Sequence, residues 1–149
     1  MDVDALAGRL DDAVLALRAA LLPRRAEVSL TAAATLGRLQ RAGAARLTDL
    51  AAAEGISQPA MTGLVARLVE QGLVARGSDP DDGRVVVLTL TDAGASVLAR
   101  RRAERTARLR GPLAGLPDDD VRRIADALPA LTRLADALRR PVPLVEVTR

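Results

Sequence analysis

Arg46 to Arg76 reads RLTDLAAAEGISQPAMTGLVARLVEQGLVAR, and this stretch decides the fold. Thr48 is a good N-cap for a short helix, with Asp49 in its first turn, where the helix dipole favours a carboxylate. Gly55 ends that helix, since glycine enters the left-handed conformation of a helix stop without a Cβ penalty. Ile56 points back to a core, Ser57 caps the next helix, and Pro59 is tolerated in its first turn. Met61, Leu64, Val65 and Leu68 fall at i, i+3, i+4 and i+7, one apolar stripe, and Gly72 closes the helix. Two helices joined by a short glycine-containing turn form a helix-turn-helix. The outward face of the second helix carries Gln58, Thr62, Gly63, Ala66 and Arg67. Such small or hydrogen-bonding side chains let a backbone approach base edges in a major groove. A plain surface helix would look similar, so the adjoining segments decide.

Downstream lie two apolar runs, Leu73 to Ala75 and Val85 to Leu90, separated by a loop containing the hairpin dipeptide Asp82-Gly83. The acids of that loop invite a calcium reading. A calcium loop starting at Asp79 needs Asp or Asn at 83, Gly at 84 and Glu at 90, whereas the chain has Gly83, Arg84 and Leu90. An arginine amid the ligands would also repel a cation. Asp81 and Asp82 could be imagined as an acid–base pair, but an exposed turn gives them no special environment. The segment is a hairpin directly behind a recognition helix, which is a wing.

Further helices flank this unit. Val3, Leu6, Leu10, Val14, Leu17 and Leu21 recur at helical spacing until Pro23. Thr31 is expected to cap a second helix running to about Gln40, with Leu36 and Leu39 inward and Gly43 as its stop. Thr91 is expected to cap a long helix to about Arg110, broken by Gly111-Pro112. Asp118, Asp119 and Asp120 open a last helix, as dipole stabilisers rather than metal ligands. Its stripe is Val121, Ile124, Leu128, Leu131 and Leu138, with Pro129 expected to kink it. The tail PVPLVEVTR reads as extended or loose.

Composition narrows the chemistry. The 149 residues hold no Phe, Tyr, Trp, Cys or His, and all 22 basic residues are arginine. The core must therefore be aliphatic, and such small side chains favour sharing a core with a second copy. The absences exclude disulfides, thiol nucleophiles, histidine bases, a P-loop lysine and Schiff-base chemistry. The acidic N-terminus is unlike a signal peptide, and no apolar run approaches about 18 residues, so a soluble cytoplasmic protein is expected. The net charge of +3 is unevenly spread: Ala44 to Thr91 carries −2 and Ala99 to Arg110 carries +5. Arg100, Arg101 and Arg102 spread over about 300° of a helix, so they read as a solvated segment that attracts DNA at long range.

From Leu47 to Gly94 the sequence resembles the MarR family of bacterial winged-helix regulators. ISQPAMTGLVARLVEQGLVAR is similar to that family's recognition helix and first wing strand. DGRVVVLTLT fits its wing signature through Asp82, Arg84, Leu90 and Thr91. The resemblance implies a mainly α fold with a small β-hairpin wing (α+β) over a single domain, residues 1–149. The winged helix-turn-helix lobe would span 30–91, flanked by dimerisation helices at 1–22 and 92–140. It further implies a homodimer on a palindromic operator, acting as a repressor released by a small-molecule ligand. The residues matching DNA-contacting positions are Ser57, Gln58, Pro59, Ala60, Thr62, Gly63 and Arg67. In the wing, Arg84 takes the position that reaches the minor groove, and Asp82 that of the acid orienting it. No enzyme activity, cofactor, metal or membrane partner is implied. Two departures stand out: Gly83 where arginine is common, and Gly63 where a polar or basic side chain is common. The lack of cysteine speaks against the family's hydroperoxide-sensing branch.

Each assignment has a plainer rival. Arg84 could be a solvated turn residue paired with Asp82, though that pairing would itself aim the guanidinium. Gln58 and Thr62 could simply be exposed, and Arg67, a turn later, suits a phosphate better than a base. At the level of function, the rival is a winged-helix dimer that binds another protein instead of DNA.

Overall fold

The computed structural model describes residues 2–22, 27–78 and 85–139. Its elements run α1 (Val3–Leu21), α2 (Leu30–Ala42), β1 (Ala44–Arg46), α3 (Leu47–Glu54), α4 (Gln58–Glu70), β2 (Val74–Ser78), β3 (Val86–Leu90), α5 (Asp92–Ala114) and α6 (Asp118–Arg139). The three strands form one antiparallel sheet in the order β1–β3–β2. Val74 faces Leu90 and Ser78 faces Val86 in the hairpin, while Ala44 to Arg46 pair with Thr89 to Val87. This is the mainly helical winged fold that the sequence led us to expect. The strand β1 was not expected, because Ala-Ala-Arg carries no alternating signal and is extended only through pairing with β3.

The chain divides into two compact units, one running to Thr106 and one beginning at Ala107. The first has an aliphatic core: Leu36 and Leu39 of α2, Leu50 of α3, Met61, Val65 and Leu68 of α4, Leu88 of β3 and Val97 of α5 are all essentially inaccessible. Burying each such side chain is worth about 1.5–3 kcal/mol, so these few residues hold the helix-turn-helix against the sheet. The predicted stripe of α4 is the face that packs.

Helix ends follow the predicted chemistry with local corrections. Ser29, not Thr31, caps α2: its Oγ accepts the Ala32 N–H at 3.1 Å. Thr31 then lies inside the helix, and its carbonyl accepts the hydroxyl of buried Thr35 at 2.9 Å. The α3 cap position falls on Arg46, so Thr48 already sits in the first turn with its hydroxyl 3.5 Å from Asp49. Gly55 has φ +64 and ends α3 as expected. Ser57 caps α4, accepting the Ala60 N–H at 3.4 Å.

The α5 helix does not break at Gly111-Pro112 but continues to Ala114. A proline deletes one helical hydrogen bond, and here that loss falls within the last turn, where few bonds remain to be broken. The Gly115 N–H closes the end onto the carbonyls of Gly111 and Pro112. The second unit is built largely of α6, one helix through Pro129 to Arg139. Its opening acids pair one turn on, Asp119 with Arg122 and Asp120 with Arg123.

The arginine-rich segment also needs correcting. Arg100 pairs with Glu27, its Nη2 lying 2.9 and 3.1 Å from the two carboxylate oxygens. Arg101 is buried, not solvated, and its Nη1 donates to the Val28 carbonyl at 3.0 Å. The apolar stripes of α1 and α6 remain open in the single chain: Val3 is 71% exposed and Leu138 78%. The wing turn 79–84 and the tail 141–149 lie outside the described residues.

Candidate nucleic-acid interface

The α4 helix is held by its buried stripe, which leaves Ser57, Gln58, Pro59, Ala60, Thr62 and Arg67 on an exposed face and Gly63 half-exposed among them. The structure therefore brings together all the helix residues singled out from the sequence. Its N-terminal turn is fixed by the Ser57 cap and by Pro59, whose ring presets the backbone. Free backbone N–H groups and the positive end of the dipole gather there, an environment that suits phosphate.

The side chains have defined roles available to them. The Thr62 hydroxyl donates to the Gln58 carbonyl at 2.9 Å, so its proton is committed and its lone pairs remain to accept from a base amino group. A Cβ placed on Gly63 would lie only 3.9 Å from Arg67 Nη1. Arg67 thus leans back over Gly63, as helical side chains lean toward the N-terminus, and carries its guanidinium along the exposed face. The missing side chain at Gly63, a departure in the sequence, is what leaves that surface clear.

The turn between α3 and α4 is braced from α2. Arg38 Nε meets Glu54 Oε1 at 3.1 Å and its Nη2 donates to the Ala53 carbonyl at 3.4 Å. This brace is not visible in the sequence, since residues 16 apart carry no periodic signal. Between the start of α2 and the second half of α4 lies a cleft of about 170 Å³, lined by Val28, Ser29, Ala32, Leu64, Arg67 and Leu68 among others. That is below the roughly 300 Å³ at which small-molecule pockets begin. Among the described residues no group of His, Cys, Asp or Glu could hold a metal ion, and no helix is long and apolar enough to cross a membrane. Asp82 and Arg84, assigned to the wing, fall outside the described residues.

The family model described as "MarR family" matches residues 28–86, the span from the start of α2 to the start of β3. An HTH-type transcriptional regulator of Mycobacterium tuberculosis is 35% identical over 137 residues, covering 88% of this chain and 96% of the relative. The chain belongs to the MarR family. A Pseudomonas aeruginosa protein assigned as a transcriptional regulator superposes with a TM-score of 0.74 at 30% identity, over 91% of this chain and 97% of that one. Bordetella bronchiseptica BpsR, whose DNA binding is regulated by 6-hydroxynicotinic acid, shares the fold with a TM-score of 0.53 at 24% identity, over 88% and 93% of the two chains. The MarR assignment makes α3–α4 the DNA-binding helix-turn-helix of a transcriptional regulator, not an enzyme, and α4 its recognition helix.

Proposed function

We propose that this MarR-family regulator is a homodimeric repressor that binds a palindromic operator and leaves it when a small molecule binds. The observation that carries the reading is the α4 surface: one face buried at Met61, Leu64, Val65 and Leu68, the other exposing Gln58, Thr62 and Arg67 over a capped N-terminus. In this reading Gln58 and Thr62 meet base edges, while Ser57, Pro59, Ala60 and Gly63 let the backbone approach the duplex. Arg67 meets a phosphate. Arg84 enters the minor groove from the wing, steadied by Asp82, where narrow A·T-rich grooves concentrate negative potential. The open apolar stripes of α1 and of α6 each support a second copy, because exposed leucines at helical spacing on a helix are surface that association would cover. Two recognition helices would then enter successive major grooves about 34–36 Å apart. Release by a ligand is supported by BpsR, a protein of the same fold.

An anisotropy titration with DNA from the protein's own promoter region tests this. Binding should weaken steeply with salt, since each neutralised phosphate releases counterions. Arg84→Ala should cost about 1–3 kcal/mol, the value of one specific groove contact. Failure to bind native upstream DNA at low salt would overturn the proposal.

A further inference from the structure

Three elements meet at one point beside the core: the end of the recognition helix, the base of the wing and the start of α5. Gly72 has φ +70 and turns the chain out of α4, and Leu73 follows it into β2. Across from them, Thr91 leaves β3 and Gly94 lies in the first turn of α5. The Thr91 Oγ1 donates to the Gly72 carbonyl at 2.7 Å and accepts the Gly94 N–H at 3.1 Å. One hydroxyl therefore caps α5 and grips the end of α4. Beside it, the Thr91 N–H donates to the Leu73 carbonyl at 3.2 Å.

The contact at Gly94 is closer still. A Cβ there would lie 2.3 Å from the Leu73 carbonyl oxygen and 2.6 Å from Leu90 Cδ1. No side chain fits, and the nearest obstacle is backbone, which cannot rotate away. Farther along α5, Val97 is in the core, and Arg100 and Arg101 hold Glu27 and the Val28 carbonyl. The first turns of α5 are thus fastened at both ends, to the exit of α4 by Thr91 and Gly94 and to the entry of α2 by the two arginines.

We infer that Thr91 and Gly94 are positioning residues for DNA binding: they lock the recognition helix to the first turns of α5, so that the axis of α4 is set by that joint. Neither touches DNA. Their effect is on where α4 points, and so on which half-site spacing a dimer accepts. The inference rests on the proposed dimeric operator binding for its second readout only.

The test uses the full chain, which has no cysteine, so introduced thiols are labelled uniquely. Spin labels at Glu70→Cys in α4 and Glu104→Cys in α5, in chains diluted with unlabelled protein, report the distance across the joint without DNA. A narrow distance distribution is expected, broadened by Thr91→Val and restored by Thr91→Ser, which keeps the hydroxyl. An unbroadened distribution in Thr91→Val overturns the joint, whatever the DNA data show. On promoter DNA whose half-site spacing is stepped by single base pairs, Thr91→Val should reduce the preference for the best spacing about fivefold, the scale of one lost hydrogen bond. A merely stabilising Thr91 would lower the melting temperature and leave that preference intact, which also overturns the inference. Gly94→Ala should broaden the distance distribution further. If Gly94→Ala does not fold, Thr91→Val and Thr91→Ser decide alone.

Discussion

Arg101 shows how one side chain can take a role that its sequence neighbours hide. It stands in a run of three arginines, yet it alone is buried, with Nη1 on the Val28 carbonyl and Nε without a hydrogen-bond partner among the described residues. Burying a guanidinium with a neutral partner is expensive, and the hydrogen bond to the Val28 carbonyl offsets only part of that cost. Arg101→Ala should therefore destabilise the fold, by about 2 kcal/mol or more, through lost packing and a lost hydrogen bond. Arg102→Ala, exposed on the same helix, should fall within about 0.5 kcal/mol. Thermal or denaturant unfolding of the two variants checks the contrast; equal effects would return Arg101 to the solvated role that its neighbours suggest. Gly63 makes a similar point on the recognition helix. Its lack of a side chain is a missing contact in the sequence and open surface under Arg67 in the structure.

At the scale of elements, the decisive helix is α4, and its start is the part that chemistry fixes most cheaply. Ser57→Ala should cost roughly 1 kcal/mol of stability, as N-cap losses do. It should also weaken DNA binding beyond that, because the frayed turn carries Gln58 to Ala60; Ser57→Asp, also a good cap, should keep the stability but repel phosphate. Melting temperatures and titrations of both variants separate the two effects. The helix-turn-helix and the wing strands were legible in the sequence because glycine stops, a serine cap and an i, i+3, i+4, i+7 stripe act over a few residues. The strand β1 was not, since its extended form comes from β3, more than 40 positions away in register. The caps of α2 and α3 each lie two residues before the expected threonine, at Ser29, whose hydroxyl offers an equally good start, and at Arg46, which makes no side-chain cap bond. Pro112 does not break α5, because the cost of a proline depends on how much helix follows it. The grip of Thr91 on Gly72 spans 19 residues, and in the sequence only its local half, the start of α5, could be seen.

For the whole molecule, the unevenness of charge and apolar surface matters more than the net +3. The segment from Ala44 to Thr91 carries −2, so long-range attraction to DNA must come from elsewhere, chiefly the exposed arginines of α5. The apolar stripes of α1 and α6 are open in one chain, and an aliphatic core without aromatic residues buries modest area per residue. Association of two copies should therefore be strong: light scattering is expected to give twice the 15.6 kDa chain mass at micromolar concentration, with a melting temperature that rises with concentration. A monomer under those conditions would contradict this. If α4 reads DNA in pairs, footprinting of the region upstream of the protein's own gene will show it. The expected result is a protected stretch with two inverted half-sites whose centres lie about 10 base pairs, one helical turn, apart. Protection with no inverted repeat, or none at all at low salt, would contradict it.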